Sequence, residues 1–225
     1  MKIVDCFIMN DELKMLKFRL HELYDYVDHF VLVESTKTFT DQDKPLHYKD
    51  NRHSFKRFND KITHVIVDDM PYSPVPSNIP NDVLEKLAWE KEHHQRNCMA
   101  RGINILNLNP DDVILLSDID ELPSRNFLTR CKWLNNFPTS LNHTKFEKSI
   151  LNKDKHRWKG TIVVNYALFC NFSPQQFRNM RDIVCTIDDG WHFCNFFPYK
   201  QFLNKIHSFS EISWRENIGS SDEYK

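Results

Sequence analysis

Glycine is scarce in this chain, which contains only four glycines in 225 residues. Fingerprints that need several glycines in one loop are therefore missing, and neither Gly-x-Gly-x-x-Gly nor Gly-x-x-x-x-Gly-Lys occurs. The Gly-x-Ser-x-Gly elbow and the His-Glu-x-x-His motif of hydrolases are missing as well. Glycine-rich dinucleotide and phosphate loops, and these two hydrolase signatures, are thus excluded.

Long apolar runs and paired cysteines are also missing. No stretch approaches 18 consecutive apolar residues, so no membrane-spanning helix is predicted. Asp5 interrupts what would be the apolar part of a signal peptide, and the N-terminus is interpreted as a first strand. The six cysteines form no Cys-x-x-Cys pair, and most have apolar neighbours, which indicates small core residues in a reducing compartment. We therefore expect a soluble cytoplasmic protein of microbial or viral origin.

Neither sign of charge is in excess. Thirty Lys and Arg residues against 31 Asp and Glu give a net charge of −1 at pH 7. No basic excess is available for a phosphate backbone, so a nucleic-acid partner is disfavoured. A local exception is the segment from Lys145 to Lys159, which is rich in lysine and arginine. This segment is either a solvated loop face or a rim for an anionic ligand, and the sequence does not decide between the two.

Strand and helix patterns alternate in the first half of the chain. Apolar runs predict strands over residues 2–8, 30–33, 62–67 and 112–118. Helical spacing predicts one helix from Leu13 to Val27, with Asn10 as its N-cap, and another over residues 82–101. Such alternation is typical of βαβ units. We therefore expect an α/β fold with a mostly parallel central sheet flanked by helices.

The second half is less regular. Its patterns predict a helix over 124–136, strands over 144–149 and 160–169, a short helix after Pro174, and a loop at Gly190-Trp191-His192. The economical interpretation is a single domain over residues 1–225. In that domain, residues 1–123 form a nucleotide-binding half and residues 124–225 a half that shapes the acceptor site.

Three acids, Asp118, Asp120 and Glu121, follow the most apolar predicted strand. Open α/β sheets bind ligands at the carboxyl ends of their strands. Clustered carboxylates repel one another, so a divalent cation or a basic side chain is expected beside them. Mn²⁺ or Mg²⁺ fits, because both accept oxygen ligands and can hold a diphosphate. The alternative is a helix N-cap with solvated acids before Pro123.

Four further residues are candidates for ligand contact. Arg96 lies on the predicted helix before the acidic strand, where it meets an anionic ligand or belongs to a solvated helical face. Glu34 ends the second strand, where it contacts a nucleoside or is a loop acid. Trp191 offers a flat face to a sugar ring, and His192 could complete a metal shell or bind a phosphate. The alternative for His192 is a core histidine.

Several blocks of the sequence, in order along the chain, resemble glycosyltransferase family 17. They are Asn10-Asp-Glu12-Leu, Arg19-Leu-His-Glu-Leu, Glu34-Ser35, Gln95-Arg96-Asn97, Asp112 to Pro123, Lys148-Ser149 and Gly190-Trp191-His192. The blocks extend from about residue 7 to about residue 210. Such an ordered set is far more specific than a single Asp-x-Asp pair.

The resemblance implies a GT-A-like fold and the inverting transfer of a sugar to a glycan acceptor. The donor that it implies is a UDP-sugar, with UDP-N-acetylglucosamine expected first. It implies that Asp118 and Asp120 bind Mn²⁺ or Mg²⁺, and His192 is the candidate that completes this shell. The residues expected to contact the nucleotide sugar are Asn10, Glu12, Glu34, Ser35, Arg96, Asp118 and Trp191.

The catalytic base is the least determined part of this hypothesis. An inverting displacement needs a base on the sugar face opposite the diphosphate, and the metal-binding acids are poorly placed for that role. Glu121, Asp189 and Glu211 remain, and Glu121 ranks first among them. Two other functions stay open at this point. One is a metal-dependent phosphoryl or nucleotidyl transferase, and the other is a non-catalytic glycan-binding protein on the same scaffold.

Overall fold

The computed structural model describes residues 1–71 and 79–211. The strands in this part of the chain are β1 (Ile3–Met9), β2 (His29–Ser35), β3 (Ile62–Val67), β4 (Val113–Asp118), β5 (Glu121–Leu122), β6 (Thr139–Glu147), β7 (Trp158–Asn165) and β8 (Cys185–Cys194). The α-helices are α1 (Leu13–Leu23), α2 (His47–Asn51), α3 (Asn81–Asn97), α4 (Met99–Ile103), α5 (Arg125–Arg130), α6 (Tyr166–Phe169), α7 (Pro174–Asn179) and α8 (Tyr199–Ser208). Two 3-10 segments cover Arg52–Lys61 and Cys131–Trp133. All of these strands share one sheet, in the order β3-β2-β1-β4-β7-β6-β8-β5.

Strands β3, β2, β1 and β4 are parallel neighbours and form the buried half of the sheet. Successive side chains alternate between its faces. Phe7 and Leu115 belong to the core cluster that includes α1, whereas Cys6 and Ile114 belong to the cluster that includes α4. Both faces are covered, so these strands need nearly continuous apolar sequence. The four strands predicted in the first half are confirmed, with bounds that differ by at most two residues.

The other half of the sheet is mixed. Strand β7 is antiparallel to both β4 and β6, β8 is parallel to β6, and β5 is antiparallel to β8. The strands predicted at 144–149 and 160–169 are present but displaced, because β6 begins at Thr139 and β7 gives way to α6 at Tyr166. The prediction of a loop at Gly190-Trp191-His192 is wrong, since these residues lie within β8. They are extended because they pair with β6 and β5, which are distant in sequence.

Three helix predictions also need correction. Asn10 is not the N-cap of α1: Glu12 precedes Leu13, and the Asn10 backbone N–H donates to the Glu12 carboxylate at 2.9 Å. The helix predicted over 82–101 is divided at Cys98 into α3 and α4. The helix predicted over 124–136 starts as expected, with the Ser124 hydroxyl accepting from the Phe127 N–H, but α5 ends at Arg130.

The cysteine prediction holds for only part of the set. All six are free thiols, and Cys6, Cys98 and Cys131 are buried, whereas Cys170 and Cys185 are exposed. Cys185 lies at the exposed start of β8, close to Ile183, which is also exposed. None of the helices described here is long and apolar enough to cross a membrane. The single-domain organisation over residues 1–225 stays a prediction.

Candidate active site

The carboxyl ends of β1, β2 and β4 open into a cleft of 720 Å³, and α3, α7, β8 and α8 complete its walls. Eight of the residues that the sequence singled out line this cleft: Asn10, Glu12, Ser35, Arg96, Asp118, Asp120, His192 and Glu211. The other four lie elsewhere in the described structure: Glu34, Glu121, Asp189 and Trp191. The cleft therefore brings together residues that are up to 201 positions apart in the chain, such as Asn10 and Glu211.

Two arginines hold the Asp118 carboxylate. Arg96 on α3 donates to its Oδ1 at 3.1 Å, and Arg178 on α7 donates to its Oδ2 at 2.8 Å. The sequence predicted a cation or a basic side chain beside the acids, and basic side chains are present at Asp118. Arg178 itself was missed, although the short helix predicted after Pro174 is present as α7 and begins with a capping box of Ser173 and Gln176.

Glu121 is fully buried beside the same arginine. Arg178 donates to both of its carboxylate oxygens at 2.8 Å, and the Trp158 indole N–H donates to Oε1 at 2.6 Å. Burial alone would raise the pKa of Glu121, but the charge and hydrogen bonds of Arg178 outweigh it and hold the pKa far below its usual range. A carboxylate so placed is a weak base and has no open path to a substrate.

Asp120 and His192 lie side by side in the cleft wall, and the distance between Asp120 Oδ2 and His192 Nε2 is 3.5 Å. The two residues meet because β5 pairs with β8, which sets Glu121 opposite His192. Burial raises the pKa of Asp120 and His192 lowers it, with a net decrease; for His192, burial lowers the pKa and Asp120 raises it, with a net increase. Each group thus favours the charged form of the other.

The chemistry of these two side chains fits a divalent cation, because Mn²⁺ and Mg²⁺ accept carboxylate oxygen and Mn²⁺ also accepts imidazole nitrogen. Among the described residues, His192 Nδ1 is buried without a hydrogen-bond partner. The ring is instead stacked on Trp158 at a centroid distance of 5.0 Å. Asp118 fits a direct ligand less well, since both of its oxygens already accept from arginines.

A buried arginine holds the turn at residues 118–121, which carries the three acids, through hydrogen bonds to its backbone. Arg19 on α1 forms a two-point ion pair with Asp5, at 2.6 and 2.8 Å. Its Nη1 group donates to three carbonyls of the turn, those of Asp118, Ile119 and Glu121. Its Nη2 group also donates to the Ser117 hydroxyl at 2.6 Å. The sequence shows Arg19 within a family block, but its role emerges only when the turn is folded over it.

Helix α8 crosses back over the N-terminal half and brings Lys205 into the cleft. The Phe39 N–H donates to the Ser208 carbonyl at 3.2 Å, which fixes the end of the helix. Lys205 donates to Asn195 at 3.2 Å. Burial lowers the pKa of Lys205, but the charge of Asp120 raises it, and the net shift is upward. No feature of the sequence around Lys205 pointed to this position.

The four predicted residues outside the cleft have structural partners. Glu34 is buried, accepts from the Tyr48 N–H at 3.0 Å and contacts His64. Asp189 accepts from the Ser124 N–H and hydroxyl at the start of α5. Trp191 pairs with Leu122 in β5. Trp158 lines the cleft in place of Trp191.

One other group of potential metal ligands is present in the described chain, formed by Asp69, His94 and Cys98. Arg101 already donates to both oxygens of Asp69, at 2.9 and 2.7 Å. These hydrogen bonds lower the pKa of Asp69 to about 2. The arrangement is an ion pair at the protein surface.

Comparison with known proteins bears on both family and fold. The model of glycosyltransferase family 17 matches residues 1–221. The chain is 30% identical over 129 residues to the beta-1,4-mannosyl-glycoprotein 4-beta-N-acetylglucosaminyltransferase of Homo sapiens, and equally to that of Rattus norvegicus. Each alignment covers 56% of this chain, which spans only 22% of the length of the mammalian protein.

A solved structure has a similar fold. It is the mannosyltransferase PcManGT from Pyrobaculum calidifontis in complex with GDP-Man and Mn²⁺. The TM-score is 0.50 with 11% sequence identity, over 85% of this chain and 56% of that one. The predicted GT-A-like α/β fold is confirmed.

Proposed function

This chain belongs to glycosyltransferase family 17, and we propose that it transfers N-acetylglucosamine from a UDP-sugar to a glycan acceptor, with inversion at the anomeric carbon. The observation that carries the proposal is the cleft at the strand ends, where Asp120 and His192 meet. The names of the human and rat relatives support N-acetylglucosamine as the sugar. The complex of the mannosyltransferase with GDP-Man and Mn²⁺ supports a nucleotide-sugar donor and a divalent cation.

Asp120 and His192 are the side chains proposed to hold Mn²⁺ or Mg²⁺. When bound, such a cation supplies positive charge where the diphosphate leaves. Asp118 is proposed to orient the turn through its two arginines. Lys205 adds a fixed positive charge from the opposite wall, and a preorganised cation of this kind stabilises a departing diphosphate without rearrangement.

The nucleotide is proposed to lie along the ends of β1 and β2, beside Asn10, Glu12 and Ser35, which line that part of the cleft. Glu34 and Trp191, which the sequence analysis also proposed as contacts, face other parts of the fold. We therefore restrict the proposed nucleotide contacts to the cleft-lining members of that set.

Glu211 is the proposed base. It lines the cleft, whereas Glu121 is buried against Arg178 and Asp189 accepts hydrogen bonds from Ser124, the N-cap of α5. Burial and the neighbouring acids Glu92 and Glu85 raise the pKa of Glu211, which strengthens it as a proton acceptor.

A Glu211→Gln variant tests this role, because a base variant loses turnover while donor binding persists. Glu147, a second cleft-lining carboxylate, offers a matched control as Glu147→Gln. Normal turnover in Glu211→Gln, or a loss of turnover in Glu147→Gln alone, would show that Glu211 is not the base. Since a base must be deprotonated, turnover should also fall as the pH is lowered through the raised pKa of Glu211.

Product analysis tests the proposed reaction. The protein is incubated with UDP-N-acetylglucosamine, Mn²⁺ and a panel of glycan acceptors, and the nucleotide product is identified. Release of UDP with a glycosylated acceptor supports sugar transfer. Release of UMP or pyrophosphate would indicate a phosphoryl or nucleotidyl transferase. Glycan binding that is indifferent to UDP and Mn²⁺, without turnover, would indicate a binding protein.

A further inference from the structure

The hairpin loop between β6 and β7 presents two adjacent aliphatic side chains to solvent. Ile150 is 66% exposed and Leu151 is 92% exposed. The loop is held by its own hydrogen bonds: the Glu147 N–H donates to the Asn152 carbonyl, and the Asn152 N–H donates to the Ser149 carbonyl. A defined turn therefore holds these two side chains away from the core. Isolated exposed aliphatics are ordinary, but an adjacent pair at a hairpin tip needs an explanation.

Basic side chains lie beside this aliphatic tip. Residues 145–159 carry six basic side chains and two acidic ones, a net charge of +4 in a chain whose overall charge is −1. Lys153 and Lys155 are exposed beside the tip, whereas the Lys148 Nζ lies 5.9 Å from the Phe202 ring centroid. One of the two acids, Asp154, is already paired with Lys145 at 3.0 Å. Arg157 and Lys159 pair with Asp188 and Asp182 outside this segment, at 3.5 and 3.7 Å, so the excess positive charge lies at the lysines beside the apolar tip.

The base of the same hairpin belongs to the cleft. Lys145 and Glu147 on β6, and Trp158 on β7, line its wall. A partner that binds the hairpin tip would therefore lie next to the cleft.

We propose that this hairpin docks on an anionic membrane surface. Lysines beside the tip would meet lipid phosphates, while Ile150 and Leu151 would enter the boundary between headgroups and acyl chains. An anionic polysaccharide would also satisfy the lysines, but it would leave both aliphatic side chains in water, so the aliphatic pair favours a bilayer. If the proposed transfer reaction holds, docking places the cleft beside an acceptor attached to a membrane; the docking itself does not depend on that reaction.

Vesicle co-sedimentation tests the proposal. The protein is mixed with vesicles of phosphatidylcholine alone, or of phosphatidylcholine with phosphatidylglycerol, at low and high salt. We expect binding to the anionic vesicles only, weakened by salt because surface charges are screened. Equal binding to both vesicle types, or none to the anionic vesicles at low salt, would overturn the proposal.

Two double variants separate the contributions. Ile150→Ser with Leu151→Ser removes the apolar tip, and Lys153→Glu with Lys155→Glu reverses two charges. Each should lower the vesicle partition coefficient by about tenfold or more. Matched controls on other faces are Ile183→Ser, at a side chain that is 83% exposed, and Lys14→Glu with Lys17→Glu on α1. The controls should bind as the parent protein does.

Comparing the loss of vesicle binding among these variants distinguishes a membrane from another polyanion. Loss in the charge variant with full binding in the serine variant would show that the hairpin recognises polyanions and would overturn membrane insertion. Equal losses in the controls would show that the effect is not specific to the hairpin. Calorimetric binding of UDP is measured on the same variants and should not change, so a failure of docking is distinguishable from a failure of the proposed transferase function.

Discussion

Replacing Arg178 by methionine should remove the charge that balances the buried acids. In the native protein Arg178 donates two hydrogen bonds to Glu121, one to Asp118 and one to the Gly160 carbonyl, each at 2.8 Å. The Glu121 side chain is 1% exposed, so water cannot replace the lost partner. Asp118 keeps Arg96 and is 28% exposed, so its share of the cost is smaller. Breaking a buried pair in this way costs about 3–5 kcal/mol of unfolding free energy at pH 7.

The pH dependence of this loss is a second, independent part of the prediction. In the native protein the pKa of Glu121 is depressed, so its stabilising contribution persists above its unfolded pKa and is lost only as the pH falls through the depressed value. Without Arg178, burial dominates and raises that pKa, so the folded variant takes up a proton as the pH falls. The difference between native and variant protein should therefore shrink from pH 7 to pH 5.

Urea unfolding followed by far-ultraviolet circular dichroism at both pH values measures these effects. Arg181→Met is the matched control, because Arg181 is a nearby arginine that lies over the Trp158 ring and is 30% exposed. It should cost less than about 1 kcal/mol. Adding Glu121→Gln to Arg178→Met should restore part of the stability, since the unpaired charge is then gone. A loss below about 1 kcal/mol, or one that grows as the pH falls, would refute the reasoning.

Three further predictions concern stability. Burial lowers the pKa of His143 to about 4, so the contribution of this residue to stability is complete above pH 6.5 and is lost as the pH falls toward 4. Urea unfolding should show about 2 kcal/mol less stability at pH 5 than at pH 8 from this residue. A His143→Gln variant should lack that part of the pH dependence of stability. Gly190→Ala should lower the thermal midpoint strongly, at a cost of roughly 2 kcal/mol or more, because φ is +71° and the new Cβ would lie 2.2 Å from the Leu122 carbonyl; an unchanged midpoint would contradict this. Arg101→Ala should cost less than about 1 kcal/mol in a urea titration, because its partner Asp69 is 53% exposed, and a larger cost would mean that the pair is more than a surface ion pair.

The parallel half of the fold could be predicted from the sequence because burial on both faces leaves a simple pattern. The run Val113-Ile-Leu-Leu is apolar without interruption, and its strand is buried throughout. Strand β8 has no such pattern. Its residues from Cys185 to Asp189 are exposed or half-buried, and its pairing partners lie 46 to 47 positions earlier in the chain on β6 and up to 71 positions earlier on β5. Only tertiary contacts establish that strand.

The same distinction explains the site. Asp118 and Asp120 were found because they end a recognisable strand, and His192 because it lies in a family block. Trp191 and His192 were both expected at the ligand, but neighbours in a strand point to opposite faces, so only one of them can line the cleft. Arg178 binds Glu121, 57 positions earlier in the chain, and Lys205 acts on Asp120, 85 positions earlier, and local sequence carries no signal for such pairings.

The central claim is that Asp120 and His192 hold a divalent cation, and that the cleft needs this cation to bind a nucleotide sugar. Isothermal titration of UDP-N-acetylglucosamine into the protein, with Mn²⁺ or with excess chelator, tests this directly. The parent protein should bind the donor in Mn²⁺ and lose at least about tenfold in affinity in chelator, and Asp120→Asn should show the same loss without chelator. The exposed Asp111→Asn serves as the control and should bind normally. Equal donor affinity in Mn²⁺ and chelator, or unchanged Mn²⁺-dependent binding in Asp120→Asn, would contradict the account.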